Sequence, residues 1–173
     1  MQETLYNHRW LLVVISAGLV VRLIFYFSIP GVIMVSDSPT YLDGAYELYF
    51  RSRLNIYRPP VYPLSIILGA SLFGWSHCQA AVLFMQIVIS VVTAVLGYQI
   101  CLMVLHDKRF AVFTTLIFTT SISVYGWDFM IMSENISIFL VTLLAHLLLR
   151  FYESGKKVFI HLASLVMFLA IYT

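Results

Sequence analysis

Apolar runs about as long as a bilayer is thick recur along this chain, and they constrain its fold more than any other feature. Residues 10–29, WLLVVISAGLVVRLIFYFSI, form the first. A helix of about 20 residues is what crosses a hydrocarbon core of about 30 Å. Further runs occupy 79–105, 110–126 and 133–151, and a last one starts near 158 and reaches Thr173. One soluble core cannot hide them, because 61% of the 173 residues are hydrophobic, 10% are charged and the mean hydropathy is +0.93. An all-α, polytopic membrane protein is expected, with about five transmembrane helices. The first run is too long for a signal-peptide core and has no small-x-small cleavage site before Pro30, so it is read as retained.

Residues 61–74, VYPLSIILGASLFG, are apolar but too short for a full span. The basic residues decide their placement. If 61–74 does not cross, then Arg9, Lys108 with Arg109, and Arg150 with Lys156 and Lys157 all fall on one side, as the positive-inside rule requires. The segment is therefore read as a re-entrant or interfacial helix. This topology places the N-terminus in the cytoplasm of a plasma or inner membrane protein, and turns the 30–60 loop and the turn from Tyr125 to Glu134 outward. No internal repeat or low-complexity linker divides residues 1–173, which read as one domain.

The outward loop concentrates charge: Asp37, Asp43, Glu47, Arg51, Arg53 and Arg58. Ser38-Pro39 has the form of a helix start, with Ser38 as N-cap and Pro39 in the first turn. Tyr41, Ala45 and Leu48 then make one stripe while Asp43, Glu47 and Arg51 make another, which predicts an amphipathic juxtamembrane helix. Asp37, just before it, is either a carboxylate complementing the helix dipole or a general base. Arg58 precedes Pro59-Pro60, which force it into extended backbone. A guanidinium anchored at headgroup depth suits a lipid-linked phosphate.

Two more charges lie against the spans. Arg22 sits inside the first run, where an ion costs at least ~2.5 kcal/mol, and so is expected to face other helices and a carboxylate or a phosphate. Glu134, after Ser133 at the start of a span, has both a capping role and a site role open to it. Asn135-Ile136-Ser137 matches a glycosylation pattern but opens an apolar span, and is discounted. His146 and His161 are isolated and read as packing residues. Cys78 and Cys101 would stand roughly 34 Å apart on one helix, too far for a disulfide. The formal charge of +2 is too small and dispersed for a nucleic-acid partner.

The arrangement of one span, an outward Asp37-Ser38-Pro39-Thr40-Tyr41-Leu42, then Arg58-Pro59-Pro60-Val61-Tyr62-Pro63-Leu64, a Phe73-Gly74 and alternating spans resembles the N-terminal module of the GT-C glycosyltransferases. That group includes protein O-mannosyltransferases and aminoarabinose transferases of lipid A. The resemblance implies an enzyme that moves a sugar from a polyprenyl-phosphate donor to an acceptor hydroxyl of a protein, lipid or glycan, within membrane lipid. It implies Asp37 as the catalytic carboxylate and Arg58 as the phosphate contact, with Glu134 in the place of a second acidic residue. Tyr41 and Arg22 complete the expected substrate-binding set. Many relatives carry a second acid directly after the first, where Ser38 stands here, so no cofactor is assigned and a divalent metal is left open. Family enzymes have further spans and often a soluble C-terminal domain, so the chain is expected to be an N-terminal fragment that can be inactive alone. The competing expectations are a non-catalytic membrane subunit or lipid-binding module, and a small transporter, which Gln86, Thr93 and Gln99, scattered through one span, support poorly.

Overall fold

The computed structural model describes residues 2–28, 31–54 and 58–173, with side chains described from Arg9 onward. Ile29 and Pro30, at the junction of the expected first span and loop, and residues 55–57 of the loop lie outside the described residues. The described chain is all helical: α1 Gln2–Ser28, α2 Ser38–Arg51, α3 Val61–Phe73, α4 Cys78–Leu105, α5 Lys108–Thr120, α6 Ile122–Tyr125, α7 Glu134–Ser154 and α8 Lys157–Ile171, with 3-10 turns at Trp75–His77 and Gly126–Phe129.

Among the described residues, three stretches are long and apolar enough to cross a membrane: Arg9–Ser28, Trp75–Leu105 and Glu134–Ser154. A fourth arises if Lys108–Thr120 and Ile122–Phe129, bent by 54°, count as one. The helix α8, where a fifth span was expected, has 15 residues. The expected continuous 110–126 helix is interrupted at Ser121, whose backbone is extended. Hydrophobicity carries no sign of that break. Thr115, Thr119 and Thr120 before it each bond back to a carbonyl one turn earlier, a pattern that favours bending but that Thr93 and Thr142 show inside the unbroken α4 and α7.

The longest helix, α4, is the central post, packed by α3, α5 and α7, while α1 crosses α5 and α8 lies along α7. Among the described residues, two helix crossings leave little room for anything larger than glycine. A Cβ on Gly18 would stand 2.7 Å from Thr119 Cβ, and one on Gly69 would stand 3.0 Å from Ala81 Cβ. Small residues at such crossings let backbones approach.

The helix α2 begins one residue from expectation. Asp37 takes the boundary position with near-helical φ −91° and ψ −15° and makes no side-chain cap, and Ser38 is the first helical residue. The Ser38 hydroxyl instead accepts the Val35 N–H at 3.0 Å, closing the turn before the helix. The approach to α2 is also pinned: the Ile33 N–H donates to the Phe129 carbonyl at 2.7 Å, and Ile33 and Met130 form a parallel bridge. The first loop and the turn between α6 and α7 are thereby joined.

Candidate functional site

Asp37, Arg58, Tyr41 and Ser133 meet where α2, the start of α3 and the start of α7 converge. Arg58 Nη2 stands 2.8 Å from Asp37 Oδ1, and Arg58 Nε donates to Thr40 Oγ1 at 2.7 Å. Thr40 in turn donates to the Asp37 carbonyl. The guanidinium carbon lies 4.6 Å from the centre of the Tyr41 ring. Three chemically different contacts thus hold one arginine, an ion pair, a hydroxyl bond and a cation–π contact, while Pro59 restricts its backbone. Asp37 is 45% exposed and Arg58 22% exposed, so the pair forms a rim open to solvent. At that exposure its direct contribution to stability is about 0.2–1 kcal/mol.

Beneath the rim, Tyr41 is buried, its ring edge-on to Tyr62 at 4.8 Å and its hydroxyl 3.0 Å from Ser133 Oγ. Ser133 precedes α7, and Glu134 is that helix's first residue. Glu134 makes no capping box, and its buried Oε2 has no hydrogen-bond partner. Buried carboxylate oxygens are ordinarily satisfied, so this orphan marks where a donor is wanted. Burial pushes the Tyr62 phenol above its ordinary range, and the Glu134 carboxylate adds to the effect. Tyr62 therefore remains a neutral hydroxyl.

Gln86 of α4 connects this layer to a deeper one. Its buried amide nitrogen donates to the Met130 carbonyl at 2.9 Å and lies 3.4 Å from the Trp127 and Met132 carbonyls and 3.5 Å from the Tyr62 hydroxyl. Below it, Arg22 is 2% exposed and Asp128 fully buried, with Arg22 Nε 2.6 Å from Asp128 Oδ2. Arg22 also donates to Ser90 Oγ at 2.5 Å and to the Gly18 and Thr119 carbonyls at 3.1 and 3.0 Å. Asn135 donates its amide to the other oxygen of Asp128.

The expected site residues therefore fall into two groups. Asp37, Arg58 and Tyr41 come together at the rim through the Arg58 side chain, and Glu134 follows Ser133, whose hydroxyl meets that of Tyr41. Arg22 does not join them; it faces a carboxylate, as its depth requires, and that carboxylate belongs to Asp128. Sequence reasoning passed over Asp128, although a buried arginine calls for an acid and the turn from Tyr125 to Glu134 offered one. Asn135 holds that acid from inside the fold, which accounts for its unsuitability as a glycan acceptor. Gln99 is exposed, apart from buried Gln86 and Thr93. Among the described residues, no group of three or more His, Cys, Asp or Glu side chains gathers to hold a metal ion.

Comparison of the chain with protein-family models, with curated proteins and with solved structures finds no match in any of the three.

Proposed function

We propose that the chain is the membrane module of a GT-C-type glycosyltransferase, a polytopic protein of the plasma or inner membrane with its N-terminus in the cytoplasm. The observation that carries this reading is the Asp37–Arg58 pair at 2.8 Å, with Thr40 and Tyr41 holding the same guanidinium. A carboxylate and a clamped guanidinium stand side by side there, and Glu134, next to Ser133, supplies a second carboxylate to the reading. That set can take a proton, hold a phosphate and orient a hydroxyl.

A polyprenyl-phosphate sugar entering the rim competes with Asp37 for Arg58, because phosphate oxygens match the guanidinium fork. Asp37 is then released to accept the proton of the acceptor hydroxyl. The acceptor oxygen bonds to the anomeric carbon as that carbon's bond to the phosphate oxygen breaks. The departing electron pair leaves with polyprenyl phosphate, whose charge Arg58 balances. Glu134 accepts a hydrogen bond from a substrate hydroxyl. Arg22, with its donors engaged inside the fold, holds the turn that carries Glu134 in place.

The test is transfer of radiolabelled sugar from a panel of polyprenyl-phosphate sugars, using membranes that express the longest available reading frame, with Asp37→Asn in parallel. Transfer that disappears in the variant supports the reading. Full activity in Asp37→Asn ends it. Binding of the lipid phosphate without any transfer moves the assignment to a non-catalytic lipid-binding module.

A further inference from the structure

On the far side of α2 from Tyr41, a second cleft opens between that helix and the turn Trp75–His77. Its volume is about 430 Å³, and Leu42, Asp43, Tyr46, Trp75, Ser76 and Gln79 line it together with buried Cys78. Trp75 is fixed by aromatic neighbours: it stacks with Tyr49 at 5.8 Å and 26°, and meets Tyr46 and Phe50 edge-on at 5.5 and 5.3 Å. Asp43 is exposed and, among the described residues, has neither an ion-pair nor a side-chain hydrogen-bond partner; Glu47 on the same helix is paired with Arg51 at 2.7 Å.

We propose that this cleft binds a saccharide, with the ring of the sugar against the Tyr46–Trp75 aromatic wall and its hydroxyls on Asp43, Gln79 and Ser76. A pyranose presents an apolar C–H face and a rim of hydroxyls that both donate and accept. Its complement is a rigid aromatic surface flanked by an acceptor-only carboxylate and a two-way amide. The cleft offers both within one concave volume of ordinary ligand size. Exposed aromatics of this kind also suit phospholipid headgroups. The unpaired Asp43 carboxylate repels phosphate, however, and the charge of Arg51, whose guanidinium carbon stands 5.9 Å from the centre of the Tyr46 ring, is balanced by Glu47. The charge of the lining therefore favours a neutral, hydroxyl-rich ligand over an anionic headgroup. Along α2, Asp43 lies about 9 Å beyond Asp37, so the cleft is distinct from the rim. Its occupancy does not depend on the transferase reading.

Saturation-transfer difference NMR on the full chain in phosphatidylcholine nanodiscs, with methyl glycosides of glucose, mannose, galactose and N-acetylglucosamine as probes, tests it. Saturation should reach the ring C–H protons of at least one glycoside. Asp43→Ala and Gln79→Ala should each weaken that binding about tenfold, the scale of one charge-assisted or bidentate hydrogen bond. Both positions are exposed, so neither substitution removes core packing. Asp37→Asn should leave glycoside binding unchanged, whatever it does to transfer. Silence across the four glycosides, equal signals in wild type and Asp43→Ala, or displacement of the glycoside by soluble phosphocholine overturns the proposal.

Discussion

Arg22 holds Asp128 at 2.6 Å and, through another nitrogen of the same guanidinium, accommodates the Thr119 carbonyl at 3.0 Å, close to where α5 breaks at Ser121. One side chain thus supplies a counter-ion to the turn and a donor to a helix end that has lost its own continuation. Buried irregular backbone persists only where protein groups satisfy it. Arg22 is such a group for the end of α5 and for the turn that carries Asp128.

Removing either partner of this pair leaves the other buried and unmatched. Asp128→Ala should lower stability by about 3–5 kcal/mol, and the double variant Arg22→Met with Asp128→Leu should lose less than the two single changes combined. Unfolding midpoints in detergent micelles measure both. The exposed Arg150–Glu153 contact, at 3.9 Å, is the control, and Arg150→Met should stay within about 0.5 kcal/mol of wild type.

Gly18 faces Thr119 so closely that even one methyl group must push α1 from α5. Gly18→Ala should destabilise by about 1–3 kcal/mol, despite the higher helix propensity of alanine. Adding Thr119→Ser should recover part of the loss, because it removes the methyl branch that stands 3.3 Å from the added carbon. A thermal melt of the two variants distinguishes this contact from a general effect on α1.

Glu134 gives the opposite expectation for stability and for activity. Its orphan Oε2 means that Glu134→Gln should change stability by no more than about 1 kcal/mol, or raise it. On the transferase reading, sugar transfer should nevertheless fall, because the amide cannot replace the charge of the carboxylate. A stable and fully active Glu134→Gln would remove this residue from the site.

On the same reading, Asp37→Asn should reduce transfer by about 10²–10⁴-fold, the usual contribution of a general base, with little effect on folding. Arg58→Lys keeps the charge but loses the fork shared between Asp37 and Thr40, and should raise KM for the lipid donor more than it lowers kcat. Steady-state kinetics over a range of donor concentrations separate the two.

Hydropathy located α1, α4 and α7 because a long apolar run has few other ways to fold, and proline and charge located α2. The break at Ser121 was not legible. A run such as Phe110 to Gly126 is equally apolar bent or straight, and the residues that stabilise the bend come from α1 and α4. The rim was legible because Asp37 and Arg58 stand out against apolar sequence. Asp128 was not, because its importance comes from contact with Arg22 and Asn135, far from it or across a turn, rather than from its neighbours in the chain. The same holds for Gln86, which looks like an isolated polar residue in a span until Met130 is brought against it.

The separation of Arg22 and Asp128 along the chain also bears on biogenesis. On the membrane reading, α1 is synthesised 106 residues before its counter-ion exists. At about 5–20 residues per second, Arg22 waits roughly 5–20 s for Asp128. During that interval the first span carries an unneutralised cation, so it is expected to linger beside the insertion machinery or close to the headgroups and to settle only when the later turn arrives. Ribosome pausing between α4 and α5 would lengthen that wait, making the yield of inserted protein sensitive to the pace of translation as well as to the final fold.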